Sequence, residues 1–366
     1  MHENLNHLIC DDRIINMYKS KPRIEFIDII KGLAIILVII GHTSPCKTEI
    51  LPYKSLIYAF HMPLFFILSG MFVVTSRENY SFQTLKDFLH KNFIALIVPF
   101  LIWGTIYMNF SYSNIANLCF GSWINFTHIN TLSSLWFIVV LFVARVYLEL
   151  FFMLVNKIKL KMQYSISAAI PLCFILGFCL PHHNDVLTQN GNFLSYDIAF
   201  VAAGFMLIGA LTKPYIKKCT EIKNIYLILL TIFSGLLFLI GFSFTDYTHK
   251  FVLMANAVYQ NPLAFLFNSV TGSFCFILAG ILVYKIPVKK HILNFLGQNT
   301  LGIFLVHRHM VVALLAFLQT NTTLNRLSIN TIVTITALIV SSLLVVLINK
   351  YAPIMFGKTN TALTKD

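Results

Sequence analysis

The stretch Phe26-Ile-Asp28-Ile-Ile-Lys31-Gly-Leu-Ala-Ile-Ile-Leu-Val-Ile-Ile-Gly-His42 decides how this chain is read. It lies in an apolar run, 26–45, close to the ~20 residues that a membrane-spanning helix needs. On a helix turning about 100° per residue, the eleven steps from Lys31 to His42 make three turns plus about 20°. Both side chains therefore share one face, ~16 Å apart along the axis, roughly half a hydrocarbon core. Ionisable groups inside a span are costly and point to function. The pair reads as two chemical stations on one wall of an intramembrane path, a cation at one level and a titratable base at the other.

The rest of the chain supports a membrane setting. Of 366 residues, 57% are hydrophobic and only 11% charged, with mean hydropathy +0.77. Soluble domains carry about 25% charge, so the expected fold class is an all-α membrane protein. Ten apolar segments stand near 26–45, 55–75, 88–108, 134–155, 164–181, 193–212, 224–243, 262–284, 292–317 and 329–350. They predict a polytopic bundle of about ten transmembrane helices. The division expected is an N-terminal segment 1–25, a membrane domain 26–350 and a tail 351–366. No cleavable signal peptide is expected, because residues 1–25 are polar and the first apolar run is long enough to stay in the membrane.

Charge placement orients the bundle. With the N-terminus inside, twenty of the 27 Lys and Arg fall in cytoplasmic segments. Four (Lys47, Lys54, Lys250, Arg326) fall outside and three (Lys31, Arg145, Arg308) within spans. This is a positive-inside pattern and places both termini in the cytoplasm. The net charge of +13 then reads as a topology signal with anionic-lipid contact, and nucleic acid is not an expected partner. The stretch 109–133 has no Lys, Arg, Asp or Glu and holds Trp123, which suits an interfacial position. Pro99 and Pro171 lie within spans and Pro63 in the first turn of another, so kinks are expected there. The seven Cys show no CxxC spacing; a Cys46–Cys119 disulfide is the one pairing open to an oxidising side.

Several residues carry chemistry in this pattern. His61 opens the second segment in Phe60-His61-Met62-Pro63-Leu64-Phe65-Phe66-Ile67-Leu68-Ser69-Gly70, at the level of His42. The two imidazoles can act as base and orienter, or as a substrate-binding pair; metal binding or satisfied structural histidines are the plainer alternatives. Lys31 can serve an anionic ligand, snorkel to lipid phosphate, or pair with Asp28 on the same face. Arg145 and Glu149, spaced i,i+4, read either as a mutual ion pair or as part of an inner anion site. His307-Arg308-His309 interrupts the ninth segment; Arg308 keeps its charge and must face protein or water, with Asp197 as a candidate counter-charge. There is no GxSxG, P-loop or HExxH sequence and no metal-type His/Cys cluster.

These same residues carry a family resemblance. Asp28-Ile-Ile-Lys31-Gly-Leu-Ala with His42 resembles the Arg/Lys-x10-His motif of the integral-membrane acyltransferase family 3. Phe60 to Gly70, Leu135-Trp136-Phe137 and Gly297-Gln-Asn-Thr300-Leu-Gly-Ile-Phe-Leu-Val-His307 are similar to further family motifs, over about residues 23–350. The resemblance implies an O-acetyltransferase of the bacterial cytoplasmic membrane. Its donor would be acetyl-CoA from the cytoplasm, and its acceptor a hydroxyl of an envelope polysaccharide or lipid-linked glycan, such as lipopolysaccharide O-antigen. No permanently bound cofactor is implied.

By position, Lys31 would hold donor phosphates or the thioester region, and His42 would be the base or acyl relay. His61, Ser69 or a backbone N–H would stabilise the oxyanion. The chain departs from the family's Arg-x-x-Arg motif: Lys91 stands at the first arginine and Ile94 at the second. Lys86, His90 and Arg145 are the other cations available to the donor. A secondary transporter for an anionic or glycan substrate is the competing class, since ten spans with intramembrane charges suit it too.

Overall fold

The computed structural model describes residues 24–43, 52–75, 80–111, 114–127, 132–180, 191–245, 252–259 and 261–358. The described residues are almost entirely helical. Eight helical stretches among them are long and apolar enough to cross a membrane. The chain is thus a polytopic all-helical membrane protein. The N-terminal segment before Ile24 and the end of the tail lie outside the described residues.

The first two predicted spans differ from the other eight. Helix α1 (Glu25–His42) has 18 residues and carries Glu25, Asp28 and Lys31 in its first two turns. Apart from Phe26 and the terminal His42, the rest is aliphatic or glycine and buried around much of its circumference, with Ile27, Ile29, Ile30, Ala34, Ile35 and Ile39 almost fully covered. A helix apolar all round belongs inside a bundle. The second segment is two helices, α2 (Pro52–Tyr58) and α3 (His61–Gly70).

Pro63 accounts for that break. It has no N–H for the carbonyl four residues earlier, and its ring crowds that carbonyl. The orphaned group is the Ala59 carbonyl, which accepts instead from the Ser269 hydroxyl at 3.0 Å; Ser273 donates to the Phe60 carbonyl at 3.4 Å. Side-chain rescue of this kind makes a broken helix tolerable in lipid. Replacing Ser269 by Ala is expected to cost about 0.5–1.5 kcal/mol of stability. Thermal unfolding in detergent measures it, and an unchanged midpoint would reject this role.

The third span runs through α4 (Phe82–Asn92), a π-helical turn (Phe93–Ile97) and α5 (Val98–Tyr107). Pro99 removes the donor for the Ala95 carbonyl, and the wider turn absorbs the loss. The Ala95 carbonyl faces Gly357, where an added Cβ would lie 2.5 Å from it. Residues of the predicted tail therefore dock: Pro353–Phe356 form a 3-10 turn, Phe356 stacks on Trp103, and the Trp103 indole donates to the Met355 carbonyl at 2.9 Å. The stretch predicted as an interfacial loop contains α6 (Ile115–Phe120) and α7 (Trp123–Thr127).

The remaining spans are α8 (Trp136–Lys157), α9 (Met162–Cys179), α10 (Tyr196–Cys219), α11 (Asn224–Ser243) and α12 (Pro262–Lys285). The predicted ninth span is again two helices, α13 (His291–Gln298) and α14 (Thr300–Asn321), parted at Asn299. Helix α15 (Arg326–Tyr351) closes the bundle.

Helix α1 touches α2, α3, α12, α13, α14 and α15 and is the hub. Glycines set its closest crossing: a Cβ on Gly297 of α13 would lie 1.8 Å from the Asp28 carbonyl, and one on Gly32 would lie 2.3 Å from the Leu293 carbonyl. The same device joins α3 to α10, where Gly70 faces the Met206 carbonyl and Gly209 faces that of Ile67. Small residues allow such backbone contact between membrane helices.

Candidate active site

Because α1 is continuous from Glu25 to His42, Lys31 and His42 keep the common face and the ~16 Å spacing that helical geometry requires. Each gathers a different set of neighbours.

At the Lys31 end, the ammonium lies 4.4 Å from the centre of the Phe72 ring, just past the end of α3. A cation over an aromatic face is stabilised by the ring quadrupole. Asp28, one turn earlier, and Arg145 of α8 both lie within electrostatic range of Lys31. Arg145 donates from Nη1 to Oδ1 of Asn92 at 2.7 Å, and the Asn92 amide donates to the Phe88 carbonyl at 2.8 Å. Arg145 thus reaches across to the last residue of α4, and Glu149 is buried one turn further along α8. Lys91 does not join this group. It is exposed on α4, and its neighbour Asn92 is the residue turned inward, as an amphipathic helix requires of adjacent positions.

At the His42 end, four elements converge. Arg308 of α14 donates from Nη1 to Nδ1 of His42 at 3.2 Å. The His307 ring lies 5.2 Å from that of His42, centre to centre. Tyr58 stands between His42 and His61, at 6.5 and 4.9 Å from their rings. His61 and Lys54 also lie within electrostatic range of His42, and both are buried. The His61 Nδ1–H donates to the Ile57 carbonyl at 2.8 Å. His309 faces elsewhere and stacks on Tyr107 at 4.2 Å, while the Tyr107 hydroxyl bonds the Leu305 carbonyl.

Three sequence expectations shift. Asp197 does not meet Arg308; it is buried at the start of α10, in electrostatic range of Tyr147 and Tyr259, so Arg308 turns to His42. Ser69 is eight residues of helix beyond His61, ~12 Å along the axis, and beside Phe72 at the Lys31 end. It cannot serve an oxyanion at His42. Cys119 is an exposed free thiol, and Cys46 lies outside the described residues. Tyr58, Lys54 and Asn92 are site neighbours that sequence reasoning passed over. Only the buried Lys54 carried a signal, its charge.

Among the described residues, no three His, Cys, Asp or Glu side chains converge as metal ligands. At the His42 end the chemistry available is that of the His42, His61 and His307 imidazoles, the Arg308 guanidinium and the Lys54 ammonium, with His61, His307 and Lys54 buried. Such a setting suits proton transfer and stabilisation of developing negative charge.

The family model described as an acyltransferase domain matches residues 24–348. The chain belongs to acyltransferase family 3. No curated protein matches it. The match opens at Ile24, the residue before α1, and covers both stations. Acyltransferase family 3 membership makes this an enzyme, a multi-pass membrane acyltransferase, and the exporter alternative loses its support.

Proposed function

We propose that the protein moves an acetyl group from acetyl-CoA to a hydroxyl of a cell-envelope glycan across the bacterial cytoplasmic membrane. The observation that carries this reading is the pairing of two stations on α1: a cationic one at Lys31 and Arg145, and an imidazole cluster at His42. A donor with a phosphate-bearing head and a long thin arm matches such a separation. Lys31 and Arg145 would hold its anionic end, and the thioester would reach the His42 cluster. The positive-inside distribution of Lys and Arg supports a Lys31 end on the cytoplasmic side, where acetyl-CoA is made. The His42 end then faces the compartment that holds O-antigen, exopolysaccharide or lipid-linked glycan.

The transfer balances without any further reactant. The acceptor hydroxyl gives its proton to an imidazole while its oxygen attacks the thioester carbonyl. The carbon–sulfur bond then breaks, and the thiolate leaves with that proton as CoA-SH.

Proteoliposomes given acetyl-labelled acetyl-CoA and envelope glycan test the reading. Label is expected in the glycan as an alkali-labile ester. Label that stays on CoA in the presence of acceptor would sink it. Lys31→Ala and Arg145→Gln are each expected to raise the donor KM about tenfold, the loss of one charge-assisted contact, with a smaller change in kcat. Donor saturation curves check this; an unchanged KM in both variants would remove the anion site from the Lys31 end.

A further inference from the structure

The hydrogen bonds at the His42 end assign tautomers. A guanidinium has only donors, so the Arg308 contact at 3.2 Å requires a lone pair on His42 Nδ1. Neutral His42 then carries its proton on Nε2 and offers a donor there, not a base. Protonating Nδ1 would set N–H against N–H and a second positive charge beside Arg308.

His307 has the opposite pattern. Its Nδ1 faces the carbonyls of Phe304 at 2.7 Å and Ile303 at 3.2 Å. Carbonyls only accept, so Nδ1 carries the proton and Nε2 holds the lone pair. That Nε2 is buried, in a side chain 0% exposed, and has no hydrogen-bond partner among the described residues. A buried acceptor with no partner is costly and asks for a function. The carbonyls, one helical turn back on α14, lock the ring and keep the tautomer.

We propose that His307 is the base that takes the acceptor hydroxyl's proton, while Arg308 holds His42 as the hydrogen-bond donor to the reacting acyl oxygen. This rests on the acyl-transfer reading above. The hydroxyl proton passes to His307 Nε2, and the acceptor oxygen bonds to the thioester carbon. The His42 Nε2–H stabilises the charge that builds on the carbonyl oxygen. As the carbon–sulfur bond breaks, His307 returns its proton to the thiolate. Arg308 acts through His42 and is a positioning residue. Among the described residues, the other titratable or charged groups around this pair are Lys54 and Tyr58 of α2, His61 of α3, and Tyr107 and His309 beyond Arg308.

Two readouts decide it. Nitrogen-15 NMR of histidine-labelled protein in lipid, assigned with His42→Gln and His307→Gln, reads the tautomers without any turnover. The expected result is an unprotonated Nδ1 on His42 and a protonated Nδ1 on His307. Arg308→Met should release the His42 tautomer and Arg308→Lys preserve it. In the acetyl-transfer assay, His307→Gln is expected to lose about 10²–10⁴-fold in kcat and the acidic limb of the pH–rate profile. His42→Gln keeps an amide donor, so it should lose only about tenfold, with the acidic limb intact.

A His42 protonated at Nδ1, or an acidic limb lost with His42→Gln and kept with His307→Gln, would overturn the proposal while leaving acyl transfer standing. A wild-type protein that transfers no acetyl group would instead bring down the acyl-transfer reading and the base role with it.

Discussion

His42→Ala is expected to reduce acetyl transfer about 10³-fold, with the protein still inserted and folded. Two losses combine in this variant. An oxyanion donor in a water-excluded site is worth about 10²–10³ in kcat by itself. The Arg308 guanidinium also loses its acceptor at 3.2 Å, and a poorly solvated cation without a partner pulls neighbouring groups out of place. Folding should survive, because His42 is the last residue of α1 and the aliphatic face before it makes the packing contacts. Mass spectrometry of envelope polysaccharide from cells carrying wild type, no gene or His42→Ala reads the outcome, with protein level measured in the membrane fraction. Full acetylation by the variant would remove His42 from the chemistry.

The membrane class and the position of most helices are legible without a structure, because a span must satisfy its backbone internally and show about 20 apolar residues to lipid. The segment 224–243 coincides with α11. The two misread segments share a physical cause. The runs 55–75 and 292–317 are apolar throughout, and hydropathy does not register a break that a neighbouring side chain repairs. In the first, Ser269 repairs the carbonyl orphaned by Pro63. In the second, where α13 gives way to α14, the Thr300 hydroxyl donates to the Gly297 carbonyl at 2.7 Å, with the Leu296 carbonyl at 3.0 Å.

The site divides in the same way. Lys31 and His42 can be placed on one face from their spacing alone, since that relation lives inside one helix. Partners across helices cannot. Asp197 is a reasonable counter-charge for Arg308 on sign, yet α14 packs along α1 and delivers Arg308 to His42. Asn92 is invisible beside Lys91 because an amide carries no charge to notice, although its buried position lets it receive Arg145. Ser69 belongs to the same motif as His61, and the rise of α3 carries it to the other station.

Gly297→Ala is expected to disturb both the fold and the proposed donor site at Lys31. The added Cβ would lie 1.8 Å from the Asp28 carbonyl oxygen and 2.8 Å from its Cα, and both are backbone atoms of α1. No rotamer change relieves that contact, so α13 and α1 must separate. Overpacking of this kind typically costs about 1–3 kcal/mol. Asp28 and Gly32 flank Lys31, and Gly32 already lies against the Leu293 backbone. The displaced turn is therefore the one that carries Lys31, the proposed donor-end cation. The expected signature is a lower melting midpoint together with a donor KM that rises more than kcat falls. Gly235→Ala is the matched control, since its Cβ would meet only the Cys275 sulfur at 3.3 Å, and its stability should stay within about 0.5 kcal/mol of wild type. Thermal denaturation in detergent and donor saturation measure the two effects. If Gly297→Ala melts with the wild type, the close crossing of α1 and α13 is not what seats Lys31.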